Sequence, residues 1–133
     1  MSELGENRHR ARERALEILY ESNMKERPVS VILTELNVRP DHYVLELATA
    51  AAEHQSRADE LISECAIDWP LDRIAVVDRL IMTLAIGEML TENAPPRAVI
   101  LDEAVELAKV FSTDGSSSFV NGVLSSISAR LSD

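Results

Sequence analysis

The sequence predicts an all-α domain, and three observations carry that prediction. The 133 residues, 46% of them hydrophobic, fit one compact domain of roughly 100–200 residues. Only 4% are aromatic, with four glycines and five prolines. That is too few for a β-sandwich or barrel, which needs aromatic, β-branched strands and frequent turns. Apolar residues instead recur at helical spacing between well-marked breakers.

The elements follow in order. Ala11, Ala15, Ile18 and Leu19 mark a first helix from about Arg8 to Met24, ended by Pro28. Residues 1–7 are expected as a flexible tail of a single domain spanning 1–133. Val29–Leu36 makes a short second helix, entered through Pro28. Asp41 is the expected N-cap of a long run from His42 to Ala66, breaking near His54–Arg57. Asp72 is the expected N-cap of the next helix, Arg73–Thr91, which is apolar around most of its circumference and so belongs at the centre. Asn93–Pro96 turns the chain into a helix at Arg97–Phe111. A polar loop over Ser112–Ser118 precedes a last helix, Ser116–Leu131.

Several function classes drop out. Cys65 is alone, which excludes an intrachain disulfide and a thiol-based zinc cluster. His9, His42 and His54 have no metal-site spacing, so neither metal nor cofactor is expected. The opening MSELGENRHR has no apolar run of a signal peptide, and no uncharged apolar stretch reaches about 18 residues. A cytoplasmic protein without a membrane contact is expected. Paired carboxylates such as Asp59-Glu60 lie on amphipathic helices, and neither a nucleophile elbow nor a glycine-rich phosphate loop occurs. No catalytic residue is assigned. The chain is not read as an enzyme.

Charge is more informative. The net charge is -10, yet Arg8, Arg10, Arg12 and Arg14 against Glu13 give one short stretch +3. Eleven of the thirteen basic residues are arginines. Arg8 and Arg12 are four apart, as are Arg10 and Arg14, so a helix carries two basic ridges. Two readings stand side by side. The arginines pair with Glu13, Glu17 and Glu21 on their own helix, or they offer bidentate hydrogen bonds to phosphate and stack on bases.

The last helix holds a second oddity. Phe119 projects to the edge of the apolar stripe, and Gly122 lies on the far side, about 60° from it. Core packing is the favoured reading of Phe119, and a stacking platform for a base the sharper one. Gly122 marks a close approach, either of another helix or of a partner. Ser116–Ser118 read as helix-capping residues, and Trp69 reads as a core anchor.

Four blocks, in order, resemble the NusB family of bacterial transcription antitermination factors. They are Arg10–Tyr20 (RARERALEILY), Trp69–Arg79 (WPLDRIAVVDR), Asp102–Lys109 (DEAVELAK) and Phe119–Leu124 (FVNGVL). The resemblance covers nearly the whole chain. It implies an all-α, NusB-like fold of two packed small helical bundles forming a single domain. It also implies a factor that holds the single-stranded boxA element of ribosomal RNA operons together with NusE, a small-subunit ribosomal protein. This assembly joins the antitermination complex on RNA polymerase, and members occur as monomers and homodimers. By position, Arg8, His9, Arg10 and Arg12 fall in the RNA-contacting stretch, and Ser116, Ser118 and Phe119 in a second RNA-contacting region. Tyr20 and Asp78 match positions near the NusE-facing surface. The competing reading is a helical protein–protein scaffold that does not touch RNA.

The chain departs from the family pattern at four places. His9 and Ser118 stand where a basic residue is common, Gly87 where an aromatic is common, and Asp102 where asparagine is usual. The first two imply lower RNA affinity than a typical member has. Four arginines neutralising about four phosphates predict a salt slope near -3 on a single strand.

Overall fold

In the computed structural model, which describes residues 3–131, helix α1 runs from Glu3 to Lys25. It buries Ala11, Ala15, Leu16, Ile18 and Leu19 along one stripe. Residues 3–7, expected as part of a tail, form its first turns, with Glu3 and Glu6 favourably placed against the helix dipole. Residues 1 and 2 lie outside the described residues. After α1 come α2 (Val29–Thr34), α3 (His42–Glu53) and α4 (Gln55–Cys65). α5 (Val76–Met89), α6 (Arg97–Phe111) and α7 (Ser116–Leu131) complete the chain, and no strand occurs among the described residues. α3 and α4 are separated by the single residue His54, inside the expected break.

Two expected caps are revised. Asp41 does occupy the N-cap position of α3, but its side chain makes no capping hydrogen bond. Asp72 caps nothing. It lies in a 3-10 turn, Leu71–Arg73, closed by Arg73 N–H donating to the Pro70 carbonyl at 2.9 Å. Ile74 then runs extended and buried, and α5 starts only after Ala75. Burying the Ile74 side chain costs the helix its first turn, a tertiary demand that overrides local propensity.

α5 is the axis of the fold. Leu80 through Met89 are all buried, and α1, α3, α4, α6 and α7 all pack against it. α1, α2 and α3 group on one side of it, and α4, α6 and α7 on the other, as expected for two small bundles sharing one core. Gly87 sets the closest approach. A Cβ there would come within 2.8 Å of the Ala51 backbone nitrogen on α3. The aromatic that the family resemblance suggests at this position has no room here. The end of α7 is held by Arg97, which donates to the Ser128 carbonyl at 3.0 Å, and by an ion pair between Arg130 and Glu64 of α4.

Candidate nucleic-acid interface

The two arginine ridges of α1 part company. Arg12 turns inward and is only 3% exposed. Its Nε and Nη2 donate to both oxygens of Glu88 at 2.7–3.1 Å, and its Nη1 donates to Glu103 Oε1 at 2.8 Å. Glu88, 1% exposed in the last turn of α5, also accepts from the Tyr43 hydroxyl. Burial and this bond push the Tyr43 phenol well above its ordinary value of 10. The Arg12 guanidinium is held further into its charged form by Glu88 and Glu103, against the opposing pull of burial. Arg12 is thus a buried, ion-paired cation, unlike the exposed phosphate ligand expected of it. Three of its five N–H groups serve two carboxylates, and burial of the whole group leaves a phosphate little access to the rest.

Its ridge neighbour Arg8 lies over the Tyr43 ring, 4.8 Å from the centroid, a cation–π contact that leaves the guanidinium edge available. His9 Nδ1 sits 2.9 Å from Glu103, with Glu13 at 3.8 Å. A histidine between two carboxylates belongs to the same α1–α6 junction more than to a phosphate site. On the other ridge Arg10 is exposed and has no acidic partner among the described residues. Arg14 makes only a long, exposed contact to Glu17 at 3.4 Å, worth little in water. Same-helix pairing is thus limited to the weak Arg14–Glu17 contact, while Arg12 is paired by carboxylates of α5 and α6 and Arg10 stays exposed.

The second region is built around Asp78. Its carboxylate, in the first turn of α5, accepts from Ser112 Oγ at 2.6 Å and from Ser116 Oγ at 3.0 Å. Asp78 and Ser116 are both buried. They join the α6–α7 turn to α5, so the two residues expected at a partner surface and an RNA surface are buried and hydrogen-bonded to each other. Ser118 is exposed. Phe119 is half-buried, packed against the core on one side and meeting Trp69 edge-to-face at 6.0 Å and 69° on the other. Trp69 is 51% exposed, so it is not the core anchor that its size suggests. Nothing lies within 4 Å of a Cβ built on Gly122, so no helix passes close there. Tyr20, also exposed, borders an apolar cleft with Leu16, Val77 and Phe111.

The two regions lie toward opposite ends of α5. The arginines sit by Glu88 and the aromatic pair by Asp78, ten residues or about 15 Å along the helix. Sequence reasoning missed Glu88 and Tyr43 as partners of Arg12. A signal was present, since Glu88 follows the largely apolar run Leu80–Gly87, and a carboxylate buried with such a run requires a partner. It also missed Arg39, exposed on the α2–α3 loop beside Arg10, for which no local pattern exists.

This arrangement defines a class, namely small all-helical domains built around a buried central helix, with an arginine cluster on the first helix and no catalytic constellation among the described residues. The comparisons sharpen it. The model of the NusB family matches residues 9–129, and the chain belongs to that family. It is 43% identical over 123 residues to the transcription antitermination protein NusB of Thermobifida fusca, covering 90% of this chain and 87% of the relative. The NusB of Streptomyces coelicolor is 43% identical over 126 residues, with 88% and 89% covered. Among solved structures, NusB of T. maritima superposes with a TM-score of 0.81 at 34% identity, covering 92% of this chain and 91% of that one. A complex described as antitermination factors NusB and NusE with dsRNA shares the fold, with a TM-score of 0.77 at 24% identity and 92% and 96% covered. No helix among the described residues is long and apolar enough to cross a membrane.

Proposed function

We propose that this chain is a cytoplasmic transcription antitermination factor that binds boxA single-stranded RNA of ribosomal RNA operons together with NusE. In this role it helps to assemble the antitermination complex on RNA polymerase. The observation that carries the reading is Arg10, an exposed, unpaired guanidinium in a family named for antitermination, on a chain whose net charge is -10. Phe119 and Trp69 favour unpaired bases, which have free faces to stack. Tyr20 and its apolar cleft suit the protein partner. Arg8, Arg10 and Arg14 remain as phosphate ligands once Arg12 is removed, so the isolated chain should bind weakly, with a salt slope of about -2 from the three. A basic partner would offset the acidic body.

The scaffold reading without RNA draws on the pairing of Arg12 with Glu88 and Glu103. Fluorescence anisotropy of a boxA-like single-stranded RNA, with and without NusE at two salt concentrations, decides between the two. Binding that strengthens with NusE, weakens with salt and is lost in Arg10→Ala supports the adaptor. A homodimer would be recognised in the same titration by binding that falls as the protein self-associates.

A further inference from the structure

We propose that the groove between α1 and the α2–α3 loop is a track for the phosphodiester backbone of single-stranded RNA, with Arg39 as a phosphate-binding residue on it. The inference rests on the RNA-binding reading above and extends the site off α1 onto a second element.

The groove encloses about 650 Å³ and is open along one side. Arg10 and Arg14 line it from successive turns of α1, about 6 Å apart along the helix, which is the scale of a nucleotide step. Arg39 faces them from the loop, exposed and without an acidic partner among the described residues. Two of the carboxylates on the walls are already engaged elsewhere. Glu21 holds Lys25 at 3.0 Å, and Glu35 holds Arg27 at 2.7 Å. Asp41 is left, at the N-terminus of α3, where the helix dipole offsets part of its charge. Three arginines and three carboxylates line the groove, but Arg10 and Arg39 have no acidic partner among the described residues and Arg14 has only its long contact to Glu17, so guanidiniums from two elements face each other across open space.

The unpaired guanidiniums of Arg10 and Arg39 call for an anionic occupant, and the form of the groove selects among anions. Three guanidiniums spread along an open channel fit a chain of phosphates better than a single small anion, which needs convergent donors in an enclosed pocket. Guanidinium forks are also suited to successive phosphate oxygens. Arg39 restores the fourth phosphate ligand that the burial of Arg12 removes, and moves the salt slope of the chain from about -2 to near -3.

The test is a salt titration of RNA affinity for the full chain in the presence of NusE. Fluorescent boxA-like RNA and a scrambled RNA of equal length serve as probes, and Arg39→Ala, Arg39→Lys and the distant Arg57→Ala are compared with the unaltered chain. Arg39→Ala should lower the slope of log affinity against log salt by about 0.7. It should weaken the boxA-like and scrambled RNAs by similar factors, as loss of a backbone contact does. Arg39→Lys should keep the slope, and Arg57→Ala should change nothing. If the unaltered chain binds but Arg39→Ala leaves the slope as it was, the groove proposal is overturned and the RNA-binding reading stands. Weaker binding at an unchanged slope overturns it in the same way. If the unaltered chain with NusE binds neither RNA, both fall together.

Discussion

Arg8 and Arg12 form one ridge of α1 and Arg10 and Arg14 the other, and the two ridges differ in what other elements bring to them. Glu88 and Glu103, which are 76 and 91 residues further along the chain, reach Arg12 and bury it. Nothing comparable reaches Arg10. The same residue type on the same helix becomes part of the core on one side and a free cation on the other. A cluster of charges in a sequence therefore overstates the charge available for binding, by however many members the fold recruits for itself.

The comparison predicts its own largest contrast. Arg12→Ala strands the Glu88 carboxylate among apolar neighbours and should cost about 3–5 kcal/mol of stability. Arg10→Ala, at an exposed position, should stay within about 0.5 kcal/mol. Urea denaturation measures both. Replacing Arg12 with Met and Glu88 with Leu together should recover much of the loss, because the fully buried carboxylate goes with its partner while the less buried Glu103 keeps His9. Equal stability of the two single variants would mean that the ridges do not differ as described.

Gly87→Ala comes next. The added Cβ meets backbone atoms of Ala50 and Ala51, which cannot rotate away as a side chain can. α3 must move off α5, at a cost of about 1–3 kcal/mol. A thermal melt unchanged by this substitution would show that the α3–α5 contact is looser than the structure has it.

An effect of similar size isolates the tyrosine of the buried network. The Tyr43 phenol is raised above its ordinary value, first by burial and then by its bond to Glu88. Its contribution to stability is therefore fully present below pH about 10, the unfolded-state value. It is lost as pH rises above that, because the unfolded chain releases the phenolic proton first. Tyr43→Phe keeps the ring under Arg8 but should cost about 1.5–3 kcal/mol at neutral pH, the usual worth of a hydrogen bond to a charged group. It should also flatten the decline in stability above pH 10. A decline of the same steepness in both proteins would assign it to other groups.

What could be read in advance divides along the same line as the ridges. α6 and α7 have the boundaries that the sequence indicates, because Pro96 and the polar loop before Ser116 act locally. The start of α5 was misplaced, since Ile74 is drawn into the core by tertiary packing. The exposed Arg10 was legible from its spacing, the exposed Ser118 only through the resemblance, and Phe119, favoured as a core residue but placed at the edge of the stripe, is half-buried. The burial of Arg12, Asp78 and Ser116 was not legible, because what removes them from the surface is a partner distant in sequence. Trp69 misled for the opposite reason. Its size argues for burial, but the turn at Pro70–Arg73 leaves it on the rim beside Phe119.

Gly122 extends the contrast to α7 and carries the smallest effect. It lies in the interior of an exposed helical face, where glycine costs roughly 1 kcal/mol relative to alanine. A side chain there meets nothing within 4 Å. Gly122→Ala should therefore stabilise the protein by about 1 kcal/mol and raise Tm by roughly 3–6 °C. If the glycine serves only the fold, RNA affinity should be unaffected. If its bareness admits a nucleic acid or protein against α7 beside Phe119, the same variant should be more stable and bind less tightly. Such opposite movements would place Gly122 with Arg10 among residues kept for a partner, in contrast to Arg12 and Asp78, which the fold keeps for itself. A loss of stability would contradict the open space seen around it.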